Sequence, residues 1–301
     1  MAVAWMTELL ERDAELARIA DAVDAAGRGS GGVVFLQGQG GIGKTRLLGE
    51  GARVAEHSGL AVLRARGREL ERDVAFGIAF QLVEPVLADA EHRAELLEGA
   101  AALVAPVLER GAVAADDDPR ALLHGMFWLL ANLAESRSVA LLVDDAHLAD
   151  DLSLRFLLYL AQRVDELPVA VLVAARPAER GPAAEVLAAL RAHRSTTRLE
   201  PAPLSREAVA RLVERQDLPA ADATFVDACA EVTAGNPLYL TELLRVLTGS
   251  DAEPTVERVR HVGPRAVAEA VLVALARHPP EATRFARALA VLGDGTAVRY
   301  A

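Results

Sequence analysis

Cysteine, lysine and aromatic residues are all scarce in this 301-residue chain, and each scarcity narrows the reading. The single cysteine, Cys229, excludes an internal disulfide. Aromatics make up 4% of the residues against 52% hydrophobic residues in all, so the core must be packed with Ala, Leu and Val. That composition favours helices and parallel strands over an all-β sandwich. No apolar run approaches a membrane span, and Glu and Asp interrupt the N-terminal MAVAWMTELLERDAEL before a secretory signal can form. These absences predict a soluble cytoplasmic protein with no membrane partner. Positive charge is also in deficit: 32 Lys plus Arg against 43 Asp plus Glu give a net charge of −11, which argues against a surface that tracks nucleic-acid phosphates. The length predicts about two domains.

Only one of the basic residues is a lysine, and it sits in VVFLQGQGGIGKTRLL, residues 33–48. A chain that uses arginine for every other positive charge has kept Lys44 where a compact ammonium on a flexible stem can reach into a tight loop. Gly38, Gln39, Gly40, Gly41, Ile42, Gly43, Lys44 and Thr45 satisfy G-x-x-x-x-G-K-[ST] at every defined position. An apolar strand pattern, Val33 to Leu36, precedes the motif, and a helical pattern through Leu47, Leu48, Ala52 and Ala55 follows it. Glycines let successive N–H groups turn inward on phosphate oxygens, and the helix start adds partial positive charge. The expected nucleotide contacts are Gly38, Gly40, Gly41, Ile42, Gly43, Lys44, Thr45 and Arg46. Lys44 is expected on the β- and γ-phosphates of ATP and the Thr45 hydroxyl on Mg²⁺. A plain glycine-rich turn is the bland alternative, disfavoured by the complete motif, its flanks and the solitary lysine.

Periodicity predicts an amphipathic helix over 7–26, with Thr7 as cap candidate and Leu10, Leu16, Ile19 and Val23 on one face. Strands are expected at 60–65, 139–143, 169–175 and, weakly, 196–200. Between them fall an Ala/Leu-rich helical stretch to about 110, the acidic turn DDDP at 116–119, a helix through Leu122, Phe127, Leu130 and Leu133, and helices from about Leu152 and over 183–193. This alternation predicts an α/β fold, a parallel sheet with helices on both faces. Only helical signals follow Ser205, so the expected domains are 1–203 and 204–301, divided at PAPLS. The stretch 249–263 reads as a linker or solvated helix end.

VALLVDDAHLAD carries the second chemical feature. An apolar strand ending in Asp144-Asp145 puts two carboxylates at the C-terminal edge of a parallel sheet, where ligands of such sheets bind. Beside a phosphate loop, Asp144 is expected to hold Mg²⁺ and Asp145 to orient or deprotonate the attacking water. Alternatively the pair begins a turn or caps the next helix. His147 reads as a turn or structural residue. In VLVAARP, Arg176 ends the next strand, either touching the γ-phosphate as a sensor or lying solvated. In TAGNPLYLTELL, Asn236 and Pro237 suit the N-cap and first turn of a helix, which is a sufficient structural reading beside that of a lid packed on the nucleotide.

The order GQGGIGKT, LLVDDAHLAD, LVAARP and GNPLYLTELL resembles the STAND class of AAA-like signalling ATPases. More narrowly, LLERDAELARI, ERDVAFGIAFQLVEPVL at 71–87 and HGMFWLLANLAE at 124–135 resemble the N-terminal ATPase region of large bacterial LuxR-type transcriptional regulators, across nearly the whole chain. The resemblance implies an AAA/STAND-like P-loop NTPase followed by a mostly helical lid and part of a winged-helix region. It implies Mg-ATP on Lys44 and Thr45, hydrolysis supported by Asp144 and Asp145, γ-phosphate reading by Arg176, and Pro237 near adenine. Arg12, with Asp13, falls at the family's N-terminal adenine-side motif.

The family's C-terminal repeats and helix-turn-helix reader are not in this sequence, which stops at VLGDGTAVRYA within the winged-helix resemblance, so a fragment or truncated product is expected. Gln39 stands where an acidic loop residue is expected, and Asp145 where many AAA motors use Glu, departures that leave ATP binding intact and point to slow turnover. The expected function is an ATP-binding, slowly hydrolysing switch in a bacterial transcription regulator, with ATP closing the helical part onto the sheet. Self-association or partner proteins are expected with it. A P-loop small-molecule kinase and a nucleotide-binding scaffold of weak activity are the alternatives. DNA binding by this chain alone is not expected: the arginine-rich RARGRELERD at 64–73 is interleaved with Glu and Asp, and no helix–turn–helix pattern accompanies it.

Overall fold

In the computed structural model, which describes residues 9–88, 90–177, 181–216, 222–249, 254–263 and 284, the apolar runs become one five-stranded sheet. The strands are β1 (Gly32–Gln37), β2 (Ala61–Arg66), β3 (Val139–Asp144), β4 (Val169–Ala175) and β5 (Thr196–Leu199), in the order β2-β3-β4-β1-β5. Every pairing is parallel. Strands β3 and β4 are buried almost throughout, as continuous Val/Ala/Leu runs require when both sheet faces are covered.

Alternation along the strands divides the core. Val33 and Phe35 of β1, with Val169, Val171 and Val173 of β4, face a cluster that includes Leu129 and Leu133 of α6 (Pro119–Ser136), Leu157 of α7 (Asp151–Ala161) and Leu190 of α8 (Pro182–Ala192). On the opposite face lie α1 (Asp13–Gly27) and α2 (Lys44–His57). There Gly51 of α2 approaches so closely that an added Cβ would stand 2.9 Å from Leu172 Cδ1 and 3.1 Å from Ile19 Cγ2. Helices therefore cover both faces of the sheet.

Three sequence expectations are corrected. The first helix begins at Asp13, because Glu11 adopts a left-handed φ of 55° and Arg12 takes the N-cap position; Thr7 lies outside the described residues. The Ala/Leu-rich stretch to 110 is no continuous helix. It breaks into α3 (Gly77–Val83), α4 (Ala90–Leu96) and α5 (Ala105–Arg110) with short 3₁₀ turns at Glu84–Val86 and Gly99–Val104, because Pro85, Gly99, Pro106 and Gly111 interrupt it. The segment read as linker or solvated helix end carries a helix over 256–263 whose Val259 is fully buried.

Arg12–Ala202 form one compact unit; the described residues before Arg12 and from Pro203 onward form a second. The second unit is helical, with α9 (Arg206–Glu214), α10 (Ala223–Thr233) and α11 (Pro237–Thr248) around Phe225, Cys229, Leu240 and Leu244. Leu10 joins that cluster, and Glu11 accepts hydrogen bonds from the Ser205 N–H (2.8 Å) and from its hydroxyl. Burial pushes the Cys229 thiol up to about 12, so it stays protonated and inert. The chain region resembling a winged helix lies outside the described residues, apart from Arg284. No described helix is long and apolar enough to cross a membrane.

Candidate nucleotide-binding site

The loop after β1 is shaped by its glycines. Gly41 and Gly43 hold φ of 82° and 103°, and a Cβ on Gly38 would stand 2.9 Å from Ile42 Cγ2. Gly43 is the N-cap of α2 and provides no side-chain cap, so the first-turn N–H groups of a 14-residue helix face the loop. Lys44 opens that helix and is 6% exposed, with Nζ donating to the carbonyls of Gly38 (2.7 Å) and Gln39 (2.9 Å). Burial, then the nearby Arg176, lowers the Lys44 pKa, while Asp145 and Asp144 raise it. A buried ammonium with only carbonyl partners is a site for anionic oxygens.

Beside it, the Thr45 hydroxyl donates to Asp144 Oδ2 at 2.9 Å, and the Asp145 N–H donates to Asp144 Oδ1 at 3.0 Å. Burial, then the neighbouring Asp145, raises the Asp144 carboxyl above its ordinary range; the Thr45 bond opposes that shift. A hydroxyl and a carboxylate side by side form a hard-oxygen pair suited to Mg²⁺, a cation that takes one or two carboxylates and completes its shell with water and phosphate oxygens. Among the described residues no group of three or more His, Cys, Asp or Glu is gathered for a metal, and this donor set does not need one.

Arg176 reaches the loop as well: a Cβ on Gly40 would lie 3.5 Å from its guanidinium carbon. Its backbone N–H donates to His147 Nδ1 at 3.4 Å, tying the end of β4 to the turn after Asp145. Lys44, Thr45, Asp144, Asp145 and Arg176 thus gather at the C-terminal edge of the sheet. Ile42 is buried and Arg46 is exposed on the first turn of α2. Arg12 is 3% exposed, and its Nη2 donates to the carbonyls of Ala202 (2.6 Å) and Ile42 (3.4 Å), so it braces the phosphate loop from behind.

Pro237 belongs to the second unit, at the first turn of α11, where Asn236 Oδ1 caps the Leu238 N–H at 3.0 Å. Gly235 is required there by close approach, since a Cβ would stand 2.4 Å from the Leu204 carbonyl oxygen.

Sequence reading missed Arg66. It is the last residue of β2, paired in parallel register with Asp144, and its Nη2 and Nε both donate to Asp145 Oδ2, at 2.9 and 3.2 Å. That bond is the largest influence raising the Arg66 pKa. Asp145 itself sits at φ 48°, ψ 40°, a left-handed conformation that costs a non-glycine residue about 1 kcal/mol or more. Its backbone is pinned from the other side, where the Gly67 N–H donates to the Asp144 carbonyl at 2.9 Å and a Cβ on Gly67 would stand 2.3 Å from the Asp145 carbonyl oxygen. The signal available in sequence was an arginine ending a strand next to the acidic strand, legible only once β2 and β3 are known to pair.

The family model for the AAA ATPase domain matches residues 8–173, more than half of the chain, and the chain belongs to that family. Its parallel sheet, phosphate loop and flanking helices are those of an AAA-type ATPase core. Among solved structures it is similar to a Signal Transduction ATPase with Numerous Domains (STAND) protein with a tetratricopeptide repeat sensor from Pyrococcus horikoshii, with TM-score 0.50 and 18% identity over 85% of this chain and 32% of that one. It is also similar to the Aeropyrum pernix ORC2 protein in ADPNP-ADP complexes, with TM-score 0.51 and 18% identity over 87% and 68% of the two chains. A third likeness is to the ORC1 protein of the same organism in complex with DNA, with TM-score 0.50 and 20% identity over 96% and 74%. At these identities the likeness is one of fold. The chain spans about a third of the length of the STAND protein. Comparison with curated proteins gives no match.

Proposed function

We propose that the chain is a regulatory nucleotide switch that holds Mg-ATP tightly and hydrolyses it slowly, in the manner of the ATPase module of a LuxR-type transcription regulator. The observation that carries this reading is the double hydrogen bond from Arg66 to Asp145 Oδ2, next to a phosphate loop with its lysine and threonine in place. The binding elements are complete while the acid suited to activating water is engaged by a cation. Lys44 would hold the β- and γ-phosphate oxygens, and the loop N–H groups would orient them. Thr45 and Asp144 would hold Mg²⁺, which when bound neutralises phosphate charge and polarises the γ-phosphoryl group. Asp145 Oδ2 would take the proton of the attacking water once Arg66 releases it. The excess of 43 acidic over 32 basic residues supports a chain that leaves duplex DNA alone.

Arg66→Ala tests the reading. It is expected to raise the rate of phosphate release about tenfold with ATP affinity unchanged within about twofold, since the guanidinium touches the acid and not the loop. Phosphate release that stays the same or falls, measured at saturating ATP, would remove the basis for slow turnover by restraint. Transfer of the γ-phosphate to an added small-molecule acceptor faster than to water would favour a kinase.

Arg176 provides a second check, because its guanidinium lies over Gly40 of the loop. Arg176→Ala is expected to weaken ATP about tenfold and ADP less than about twofold, the loss of one charge-assisted contact to the terminal phosphate. Equal losses for both nucleotides in calorimetry would make Arg176 a general electrostatic residue.

A further inference from the structure

The motif HGMFWLLANLAE on α6 takes no part in the nucleotide site. The chain spends few residues on aromatic rings, with 2 Trp, 3 Tyr and 7 Phe, yet three of them meet at one surface. Phe127 stands edge-on to Trp128 and to Tyr159, with ring centroids 5.8 and 6.0 Å apart. Trp128 is 39% exposed, one of the few large apolar side chains so placed among the described residues. Its ring is fixed: Nε1 donates to His124 Nε2 at 3.1 Å, and His124 Nδ1 lies 3.2 Å from the Tyr159 hydroxyl. An indole nitrogen can only donate, so His124 Nε2 accepts and the imidazole proton sits on Nδ1, directed at Tyr159. A ring held in this way costs little further rotamer entropy when something packs on it.

Trp128 borders a cavity of about 660 Å³ lined by Glu95, Leu96, Glu98, Asn132 and Glu135 among others. Among the described residues none of those three carboxylates forms an ion pair, and no arginine or lysine lines the cavity. Asn132 fixes its wall, with Nδ2 donating to the carbonyls of Leu96 (3.1 Å) and Glu98 (3.3 Å). One exposed apolar side chain lies further along the same helix face. Leu103 is 47% exposed, and its Cβ would stand 3.1 Å from a Cβ placed on Gly125, which shares a helix face with Trp128 three residues on.

We propose that this cavity is a docking site for a basic, amphipathic segment of a partner protein. An arginine or lysine of the partner lies on the Trp128 ring among Glu95, Glu98 and Glu135, and an apolar partner side chain covers Leu103. Three carboxylates in a cavity that an aromatic ring also lines select a cation, and cation–π attraction adds to the charge. The adjoining Leu103 calls for a ligand with apolar side chains beyond the cation, which a small polyamine lacks. A second copy of this chain is a poor complement, because it brings a net charge of −11.

The test uses the Trp5→Phe chain, in which Trp128 is the one tryptophan, and a fluorescein-labelled synthetic peptide repeating Leu-Arg-Arg-Ala. Saturable binding with a change in Trp128 emission is expected, and none with a peptide repeating Leu-Glu-Glu-Ala. In the full chain, Trp128→Ala and the triple variant Glu95→Gln, Glu98→Gln, Glu135→Gln should each weaken the arginine peptide about tenfold. The equally charged control Asp24→Asn, Glu185→Gln, Glu214→Gln, at exposed positions elsewhere, should leave affinity within about twofold. Circular dichroism and melting temperature check the fold of each variant. Should Trp128→Ala unfold the chain, the glutamate triple and its control still decide the matter. Equal losses in the two triple variants would reduce the effect to net charge and overturn the proposal. Spermidine displacing the peptide with matching affinity would overturn it in favour of a small cation, and a dimer dispersed by the glutamate triple would overturn it in favour of a second copy.

Discussion

Lys44→Ala is expected to lower ATP affinity about 100-fold, or ~2.8 kcal/mol at 1.4 kcal/mol per tenfold. Two charge-assisted bonds to phosphate oxygens account for a loss of that size. The same substitution should hardly disturb the fold without nucleotide. Burial lowers Lys44 from 10.5, so its contribution to stability is present above that pH and is lost as pH falls through the depressed folded value. In its charged form the buried ammonium therefore weighs against folding. Asp144 has the opposite sign of shift and the same consequence. Raised above 3.8 by burial, it contributes stability below that pH, and the contribution is lost as pH rises through the elevated folded value. Both groups are held at a cost that, on the proposed reading, bound phosphate and Mg²⁺ would offset. Melting of the Lys44→Ala chain without nucleotide should thus fall by no more than about 3 °C, the shift that ~1 kcal/mol makes in a domain of this size. The rise in melting temperature that ATP gives the unaltered chain should vanish. Calorimetric ATP binding that survives the substitution would remove Lys44 from the phosphate site.

How far the sequence could be read follows from where its information is local. The phosphate loop is contiguous, and glycine, lysine and threonine at fixed spacing have few other uses between an apolar strand and a helix. Strands β3 and β4 were legible because burial on both faces demands unbroken Val, Ala and Leu. The start of α1 was not, since Glu11 turns left-handed without a glycine or asparagine to announce it, held by bonds from Ser205, 194 positions away. Leu10 continues the helical spacing of Leu16 and Ile19 yet packs among Leu240, Leu243 and Val209. The Ala/Leu-rich stretch to about 110 misled for another reason: such a composition favours helix everywhere, and only the prolines and glycines decide where each piece ends. Arg66 and Asp145 lie 79 positions apart and meet through the register that sets Arg66 opposite Asp144. No local pattern in the sequence contains that pairing.

Asp145→Asn is expected to reduce phosphate release about 100-fold or more while ATP affinity stays within about threefold, because an amide cannot take a proton from water and does not touch the phosphates. Arg66→Ala and Asp145→Asn both break the same pair, in which Arg66 is half exposed and Asp145 is 18% exposed, so the two variants separate the roles the pair can have. If the pair only stabilises the edge of the sheet, both substitutions lower stability by a similar small amount and move turnover in the same direction. If Arg66 restrains an acid that activates water, the two move turnover in opposite directions, upward for Arg66→Ala and downward for Asp145→Asn. The double variant then matches Asp145→Asn, since release of the restraint is without effect when the acid is gone. Single-turnover phosphate release on the three variants, with stability measured alongside, is the required experiment. An Asp145→Asn chain that hydrolyses ATP at the original rate would leave Asp145 as a partner of Arg66 and nothing more, and a loss of ATP affinity as large as that of Lys44→Ala would make it a ligand of the nucleotide complex.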